Sequence, residues 1–137
     1  MSTTARNVIY RALRLIRAID PTETPEAQEV TDSLQALNEM MHGLENHAIY
    51  MDWEDIALND DMPNPNRDIR PITYLLAAEI APEFGKDLTP EVAVEARGAK
   101  AILQAWYGIT PQSRPDLSIT DRLSRYGNVY NIKTDTV

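Results

Sequence analysis

The sequence predicts an all-α fold, with a body like a four-helix bundle, an irregular acidic loop and an extended C-terminal arm. Three observations lead to this prediction. Apolar residues recur at steps of three and four in four separate stretches, segments rich in Pro, Asn and Asp divide those stretches, and the chain of 137 residues contains no cysteine. The absence of cysteine excludes disulfide scaffolds, zinc–thiolate sites and thiol catalysis.

The length fits one folded body, which we place at residues 1–110, followed by a partner-binding arm at residues 111–137. The longest run without a charged residue, 101–113, is shorter than the ~20 apolar residues of a membrane span. The N-terminus lacks the pattern of a signal peptide. We therefore expect a soluble protein made in a reducing cytoplasm.

The net charge of −8 is unevenly distributed. Residues 1–20 carry a net charge of +3, residues 21–110 carry 17 acids and five bases for a net charge of −12, and residues 111–137 carry +1. A protein that grips DNA needs several phosphate-neutralising cations on one face. The acidic body therefore argues against nonspecific nucleic-acid binding as the main function.

The first stretch, Ala5 to Ile19, predicts an amphipathic helix with one apolar side. Four arginines fall together on the opposite side, namely Arg6, Arg11, Arg14 and Arg17. They form either an ordinary solvated face or a docking stripe for an acidic partner, which includes an acidic neighbouring copy of the same chain.

The second helix is predicted to begin after Thr24, a good N-cap that is followed by Pro25 at the first helical position, and to run to about Asn46. Its apolar positions form a seam with steps of three and four, made of Ala27, Val30, Leu34, Leu37, Met41, Leu44 and Ala48. Such a seam is typical of a coiled-coil-like hairpin or of one side of a bundle core.

The segment before the third helix is irregular and acidic. Ile49, Met51 and Trp53 alternate with more polar residues, which predicts a short strand or an extended hook. Residues 59–66 have the composition of a loop. Because this loop lacks the spacing and the central Gly of a calcium-binding loop, we expect no metal there.

Asp68 is predicted to cap the third helix, which ends near Pro82. Glu79 falls at the flank of the apolar stripe of this helix. A carboxylate there must be paired, protonated or at an edge. We interpret it as an edge residue or as the partner of an arginine in another subunit, rather than as a catalytic acid.

The fourth helix is predicted to be capped by Thr89, to run to Tyr107 and to stop at Gly108. Its predicted buried seam consists of Val92, Ala96, Ala99, Leu103 and Trp106. Beyond it, residues 111–137 carry apolar side chains scattered among Pro, Ser, Thr and Asn. This composition favours an arm that becomes ordered on a partner, and the alternative is a disordered terminus.

The sequence offers no clear active site. His42 and His47 are the only histidines, and their spacing is poor for two metal ligands on one helix face. The five glycines are scattered singly, so no phosphate-binding loop is formed. With 21 acids in the chain, the presence of carboxylate pairs does not by itself indicate glycoside hydrolysis. We expect no enzyme, no catalytic residue, no metal site and no cofactor.

Three segments occur in the order found in a known family. They are the opening helix with its Ala-Leu-Arg sequence, the seam ending Leu-Asn-Glu-Met-Met at residues 37–41, and Leu-Ala-Ala-Glu-Ile-Ala-Pro-Glu-Phe-Gly at residues 76–85. Over residues 3–110 the chain resembles the tail accessory factors, the head-to-tail adaptors or packaged-DNA stabilisation proteins of lambdoid short-tailed phages. The tail beyond Thr110 is shorter than the family pattern and differs from it in composition.

The resemblance implies a structural connector that forms a ring, expected to contain about twelve identical copies, beneath the portal protein. The ring would extend the DNA channel, retain the packaged DNA and offer a platform for downstream tail proteins. Packaged DNA would pass through without specific binding, and no membrane would be involved. The implied location is the head–tail junction of the virion, after synthesis in the bacterial host cytoplasm.

Three sets of residues are assigned to the surfaces of such a connector, the arm from the resemblance and the other two from the distribution of charge. Portal binding by the arm is assigned to Arg114, Leu117, Ile119, Arg122, Leu123, Arg125, Tyr126, Tyr130 and Ile132. Contacts between subunits are assigned to Arg6, Arg11, Arg14, Arg17 and Glu79. The channel lumen or the distal platform is assigned to Asp52, Glu54, Asp55, Asp60 and Asp61.

Two alternatives stay open at this point. One is a peptidoglycan-degrading hydrolase that uses a carboxylate pair, an activity credited to some members of the family. No motif position in this sequence supplies a catalytic residue for it. The other is a small helical regulatory module that works by protein interaction.

Overall fold

The computed structural model describes residues 2–109 of the chain. This range contains four α-helices, α1 (Ala5–Leu15), α2 (Ala27–Gly43), α3 (Asn66–Ile80) and α4 (Pro90–Tyr107), and a 3-10 helix (Leu44–His47) that continues α2. No strand occurs between residues 2 and 109. The predicted all-α, bundle-like fold is therefore confirmed.

The core is built around α3, which packs against α1, α2 and α4, most extensively against α4. Ile72, Leu76 and Ile80 lie along α3 and are completely buried. Burying one such side chain contributes about 1.5–3 kcal/mol. The buried apolar side of α3 therefore packs against all three other helices and joins them in one unit.

The helix α1 ends at Leu15, earlier than the predicted Ile19. The chain turns at Arg17, whose φ of 56° is left-handed. The N–H of Ala18 donates to the carbonyl oxygen of Leu13 at 3.0 Å, as in a Schellman ending. Ile19 is still buried, so the apolar pattern continues beyond the end of the helical backbone.

The starts of α2 and α3 correct two predicted caps. The N–H of Glu26 donates to the carboxylate of Glu29 at 3.0 Å, and α2 begins just after Glu26. This carboxylate closes the first turn in the place of Thr24. The helix α3 begins at Asn66, and Asp68 lies inside its first turn with a fully buried side chain. Asp68 therefore serves a tertiary contact rather than a cap.

Both ends of α4 lie where the sequence predicted them. One position of its predicted buried seam, Trp106, is exposed instead. The N–H of Val92 donates to Oγ1 of Thr89 at 3.4 Å, and Gly108 ends the helix. The seam is buried at Val92, Ala96, Ala99 and Leu103. Trp106 is 45% exposed, and Cζ of the Arg67 guanidinium lies over its ring, 4.6 Å from the ring centroid.

The segment between the 3-10 helix and α3 is an extended hook, and the alternative of a short strand is wrong. Ile49 forms one isolated bridge with Gly108. Left-handed φ values at Ala48 (60°) and Asp52 (47°) interrupt the extended backbone on both sides. Ile49 and Trp53 are buried, so the alternation in the sequence reports packing against the bundle.

Candidate functional site: interaction surfaces

The first candidate surface is the exposed side of α1. Arg6, Arg11 and Arg14 lie on the helix, Arg17 lies in the turn after it, and all four side chains are exposed. Arg6 donates to Oδ1 of Asn59 at 2.7 Å. Within residues 2–109 none of the four arginines forms an ion pair. We call these four residues the arginine face, and its charge is available to an acidic partner.

The second surface is a groove of about 390 Å³ between α2, α3 and α4. Glu39 of α2, Glu79 of α3 and Glu83 in the turn after α3 line it, together with Lys100 of α4. We call it the glutamate groove. No residue of α1 lines it, so the groove and the arginine face are separate surfaces.

The structure places Glu79 at the edge of the bundle, exposed, as one of the two sequence interpretations expected. Sequence reasoning missed Glu39 and Glu83 as its neighbours in the groove. Glu83 lies one turn after Glu79, a spacing that could have indicated a shared face. Glu39 lies on another helix, and no sequence spacing relates it to Glu79.

The third surface is the acidic hook. Its five candidate residues, Asp52, Glu54, Asp55, Asp60 and Asp61, are all exposed. The hook is held to α2 by the side chain of Asn38. This side chain accepts hydrogen bonds from Nε1 of Trp53 at 3.1 Å and from the N–H of Ile56 at 3.2 Å, and it donates to the carbonyl oxygen of Ile56 at 3.2 Å. One amide thus fixes the middle of the hook.

The end of the hook is joined to the start of α1. The N–H groups of Ala5 and Arg6 donate to the carbonyl oxygens of Asp60 and Leu58, each at 3.0 Å. The first N–H groups of a helix have no partner within the helix, and here the hook supplies one for each of these two. The acids at the end of the hook therefore lie beside the N-terminus of α1.

The acid in the middle of the hook has a partner of its own. Oδ1 of Asp55 lies 2.7 Å from Nε2 of His42 on α2, and both side chains are largely exposed. The charged form of this pair requires a protonated His42. Of the five acids assigned to the lumen or distal platform, Asp55 is the one that forms such a pair within residues 2–109.

A buried polar contact holds the C-terminal end of α4. The hydroxyl of Tyr107 donates to Oδ2 of the fully buried Asp68. Nε of Arg67 lies 3.4 Å from Oδ1 of Asp68. The hydrogen bond to Asp68 raises the pKa of Tyr107 above its ordinary value, and desolvation acts in the same direction.

Two further hydrogen bonds fix the same end of α4. The N–H of Tyr50 donates to the carbonyl oxygen of Tyr107 at 3.4 Å, and Nε2 of Gln104 donates to the carbonyl oxygen of His47 at 3.2 Å. The chain therefore leaves the body from a defined position at Gly108. The arm residues predicted to bind a partner lie outside the described residues, namely Arg114, Leu117, Ile119, Arg122, Leu123, Arg125, Tyr126, Tyr130 and Ile132.

The last surface is an exposed apolar row on α4 that the sequence analysis missed. Its members, which we call the apolar stripe, are Val94 (67% exposed), Ile102 (43%) and Trp106 (45%). The signal was present in the sequence, because Val94, Gly98, Ile102 and Trp106 recur at every fourth position. The sequence analysis assigned Trp106 to the buried seam, which lies on the adjacent side of the same helix.

Residues 2–109 contain no group of three or more His, Asp or Glu side chains arranged to hold a metal ion. No helix in this range combines the length and the apolar character that crossing a bilayer requires. The chain matches no protein-family model and no curated protein.

Proposed function

We propose that this protein is a structural head-to-tail connector of a short-tailed phage, assembling as a ring of identical copies beneath the portal protein. The observation that carries the proposal is the pair of separate, oppositely charged surfaces on one chain, the arginine face and the glutamate groove. The identity of the partner comes from the resemblance of residues 3–110 to the tail accessory factors.

Separate complementary surfaces favour a head-to-tail contact between copies. The arginine face of one copy meets the glutamate groove of the next, and repetition of this contact gives a ring when its rotation closes. Exposed ion pairs contribute only about 0.2–1 kcal/mol each. The contact is therefore weak in an isolated pair, which suits a subunit that assembles on a template rather than alone.

The fixed end of α4 supports the assignment of the arm to the portal. Tyr107 is anchored to Asp68, so each copy in a ring would present its arm from an equivalent point. The net charge of −8 on each copy suits a channel that a polyanion crosses without sticking. The exposed acids of the hook remain the proposed lining of the lumen or of the distal platform.

The test is assembly on purified portal rings, followed by electron microscopy and by the mass of the complex in solution. The variant Arg11→Glu with Arg14→Glu is expected to reduce ring occupancy strongly while its melting temperature stays close to that of the wild type. The matched control is Lys86→Glu with Arg97→Glu, which changes the net charge equally at two exposed sites outside both surfaces.

A charge exchange identifies the contact directly. Copies with Glu39→Lys and Glu79→Lys are expected to fail alone, as are copies with Arg11→Glu and Arg14→Glu. An equal mixture of the two is expected to assemble, since each altered surface then faces its complement. Failure of the mixture, or normal assembly of either variant alone, would contradict the charged contact.

Removal of residues 111–137 tests the arm. The truncated chain is expected to lose portal binding while its helical circular dichroism per folded residue persists. Docking of the truncated chain at full occupancy would show that the arm is not the portal-binding element.

The hydrolase alternative has one supporting feature, the carboxylates of Glu79 and Glu83 in the same groove. Both side chains are exposed, whereas a glycosidase acid is kept protonated by apolar surroundings. A peptidoglycan zymogram separates the two functions. Clearing by the wild type that is lost in both Glu79→Gln and Glu83→Gln would favour the enzyme.

A further inference from the structure

The glutamate groove contains a residue whose charge depends on pH. His47, the last residue of the 3-10 helix, lines this groove together with Glu39, Glu79, Glu83 and Lys100. His47 is exposed, so a proton from solvent can reach its imidazole. Histidine is the side chain whose charge ordinarily changes between about pH 5 and pH 8. The net charge of the groove is therefore a function of pH.

The backbone at His47 is held in place by neighbouring hydrogen bonds. The carbonyl oxygen of His47 accepts a hydrogen bond from Nε2 of Gln104 on α4 at 3.2 Å. The N–H of Ala48 donates to the carbonyl oxygen of Glu45 at 3.0 Å, and the N–H of Ile49 donates to that of Leu44 at 3.2 Å. These bonds close the 3-10 helix on both sides of His47. The imidazole is therefore attached to a fixed point at the groove.

The other charged groups of the groove keep their charge over the same pH range. Glu39 on α2, Glu79 on α3 and Glu83 after α3 are carboxylates that are ionised above about pH 6, and Lys100 on α4 is protonated up to about pH 9. Three glutamates and one lysine give the groove a net charge of −2 when His47 is neutral, and of −1 when His47 is protonated. Protonation of His47 therefore halves the charge that attracts a cation.

The second histidine of the chain acts elsewhere. His42 does not line the glutamate groove, and its Nε2 lies 2.7 Å from Oδ1 of Asp55 on the hook. The sequence contains two histidines, so His42 serves as an internal reference for a residue that titrates in the same pH range outside the groove.

The size of the effect follows from the separation of the charges. Two unit charges of the same sign about 7 Å apart in water repel each other enough to weaken a contact about threefold. A closed ring repeats the same contact at every subunit boundary. The loss at one boundary is therefore repeated around the ring, and the assembly responds more steeply than one isolated pair.

We infer that His47 makes the contact between neighbouring copies pH-dependent. With neutral His47 the glutamate groove accepts the arginine face of the next copy, and with protonated His47 this contact weakens. The inference rests on the proposed function, because it takes the arginine face as the ligand of the groove. Arginine docking and proton binding at His47 oppose each other, and this opposition is reciprocal. Mild acidification therefore loosens the ring.

The first test compares ring assembly on purified portal rings near pH 8 and near pH 6. The wild type is expected to need at least about threefold more protein for half occupancy at the lower pH. The variant His47→Gln carries no titrating group at this position, so its occupancy is expected to change less with pH than that of the wild type. The variant His42→Gln is the matched control and is expected to keep the pH dependence of the wild type.

The comparison between variants removes the contribution of the portal. Groups that titrate on the portal affect all variants equally, so the difference between the wild type and His47→Gln is the quantity that counts. The variant His47→Lys, with a permanent positive charge, is expected to assemble weakly at both pH values. An equal pH dependence in the wild type and in His47→Gln would overturn the inference.

A second measurement needs no portal. The full-length chain is titrated with N-acetyl-arginine amide, whose guanidinium stays charged at both pH values, and binding is followed by the NMR shifts of the backbone amides of Gly43 and Asn46, which line the groove. The wild type is expected to bind this probe about threefold more weakly near pH 6 than near pH 8, and His47→Gln is expected to bind it equally at both.

The two measurements separate the inference from the proposed function. Absence of rings on the portal, together with pH-dependent binding of the probe that requires His47, would contradict the connector and support the role of His47 in the groove. Rings that form while the wild type binds the probe equally at both pH values would overturn the inference alone. Absence of probe binding at either pH would also overturn it.

Discussion

Replacing Tyr107 by Phe tests how the end of α4 is held. The substitution keeps the ring and removes the hydroxyl that donates to the fully buried Asp68. Oδ1 of Asp68 has no hydrogen-bond partner, and Nε of Arg67 lies 3.4 Å from it. Without the hydroxyl of Tyr107, the carboxylate of Asp68 therefore keeps one long contact, to Arg67.

The expected loss follows from that burial. A buried acceptor that loses its partner costs about 1–3 kcal/mol, and more when it is charged. The remaining contact to Arg67 limits the loss, so we expect Tyr107→Phe to lower the free energy of unfolding by about 2 kcal/mol. For a folded body of this size, that corresponds to a decrease in the melting temperature of about 8 °C.

The measurement is urea unfolding followed by far-ultraviolet circular dichroism, with Tyr50→Phe as the matched control. Tyr50 is 49% exposed, so loss of its hydroxyl is expected to change the free energy of unfolding by less than about 0.5 kcal/mol. Equal stability of Tyr107→Phe and the wild type would refute the reasoning, because the hydrogen bond to Asp68 would then make no net contribution.

The pH dependence gives a second reading of the same contact. The pKa of Tyr107 is raised in the folded protein, so the neutral hydroxyl is the form that stabilises the fold. Its contribution is complete below the unfolded pKa of about 10 and is lost as the pH rises through the higher folded pKa. The stability difference between the wild type and Tyr107→Phe is therefore expected to be constant up to about pH 10 and to shrink above it. If the stability difference instead grew above about pH 10, the neutral hydroxyl of Tyr107 would not be the stabilising form.

Two further predictions concern the hook and the backbone. Asn38→Ala removes the amide that binds Trp53 and the backbone of the hook, and we expect a loss of about 2 kcal/mol in the free energy of unfolding and a red shift of the Trp53 emission. Gly98→Ala is expected to stabilise the protein by about 0.5–1 kcal/mol, because Gly98 is inside α4 with open space around it. Gly85→Ala is expected to destabilise it by about 1 kcal/mol, because Gly85 has a φ of +62°.

The outcomes that would contradict these predictions are distinct. An unchanged emission spectrum in Asn38→Ala would mean that the hook is held without the amide, and Gln35→Ala, an exposed site on the same helix, is the control. Gly98→Ala and Gly85→Ala control each other, since both add one methyl group. Changes of the same sign in both variants would refute the conformational argument.

The sequence by itself determined the four helices and most of the core. The apolar seams of α2 and α4 appear directly in the spacing of residues such as Leu37, Met41 and Leu103, because a side chain that faces a core recurs with the helical period. The N-cap of α4 at Thr89 and its end at Gly108 were also predicted from neighbouring residues alone. Each of these features depends on residues within one or two turns of each other.

The tertiary structure decided the roles of the other residues, because the side chains that they contact are distant in the sequence. Asp68 reads as a helix cap, but its carboxylate is used by Tyr107, 39 positions away. Trp106 fits the seam of α4, but it is exposed and stacks with Arg67 of α3. Ile49 and Trp53 alternate like strand residues, but they pack on the bundle.

The candidate surfaces divide in the same way. The arginine face was visible in the sequence because one helix carries three of its four residues. The glutamate groove was not, because Glu39, Glu79 and Lys100 come from three different helices. The periodicity of the sequence indicates which side of a helix is apolar or charged. It does not indicate which helices pack against one another. That choice is made by the packing of the buried sides around α3, and the packing then fixes which exposed residues become neighbours.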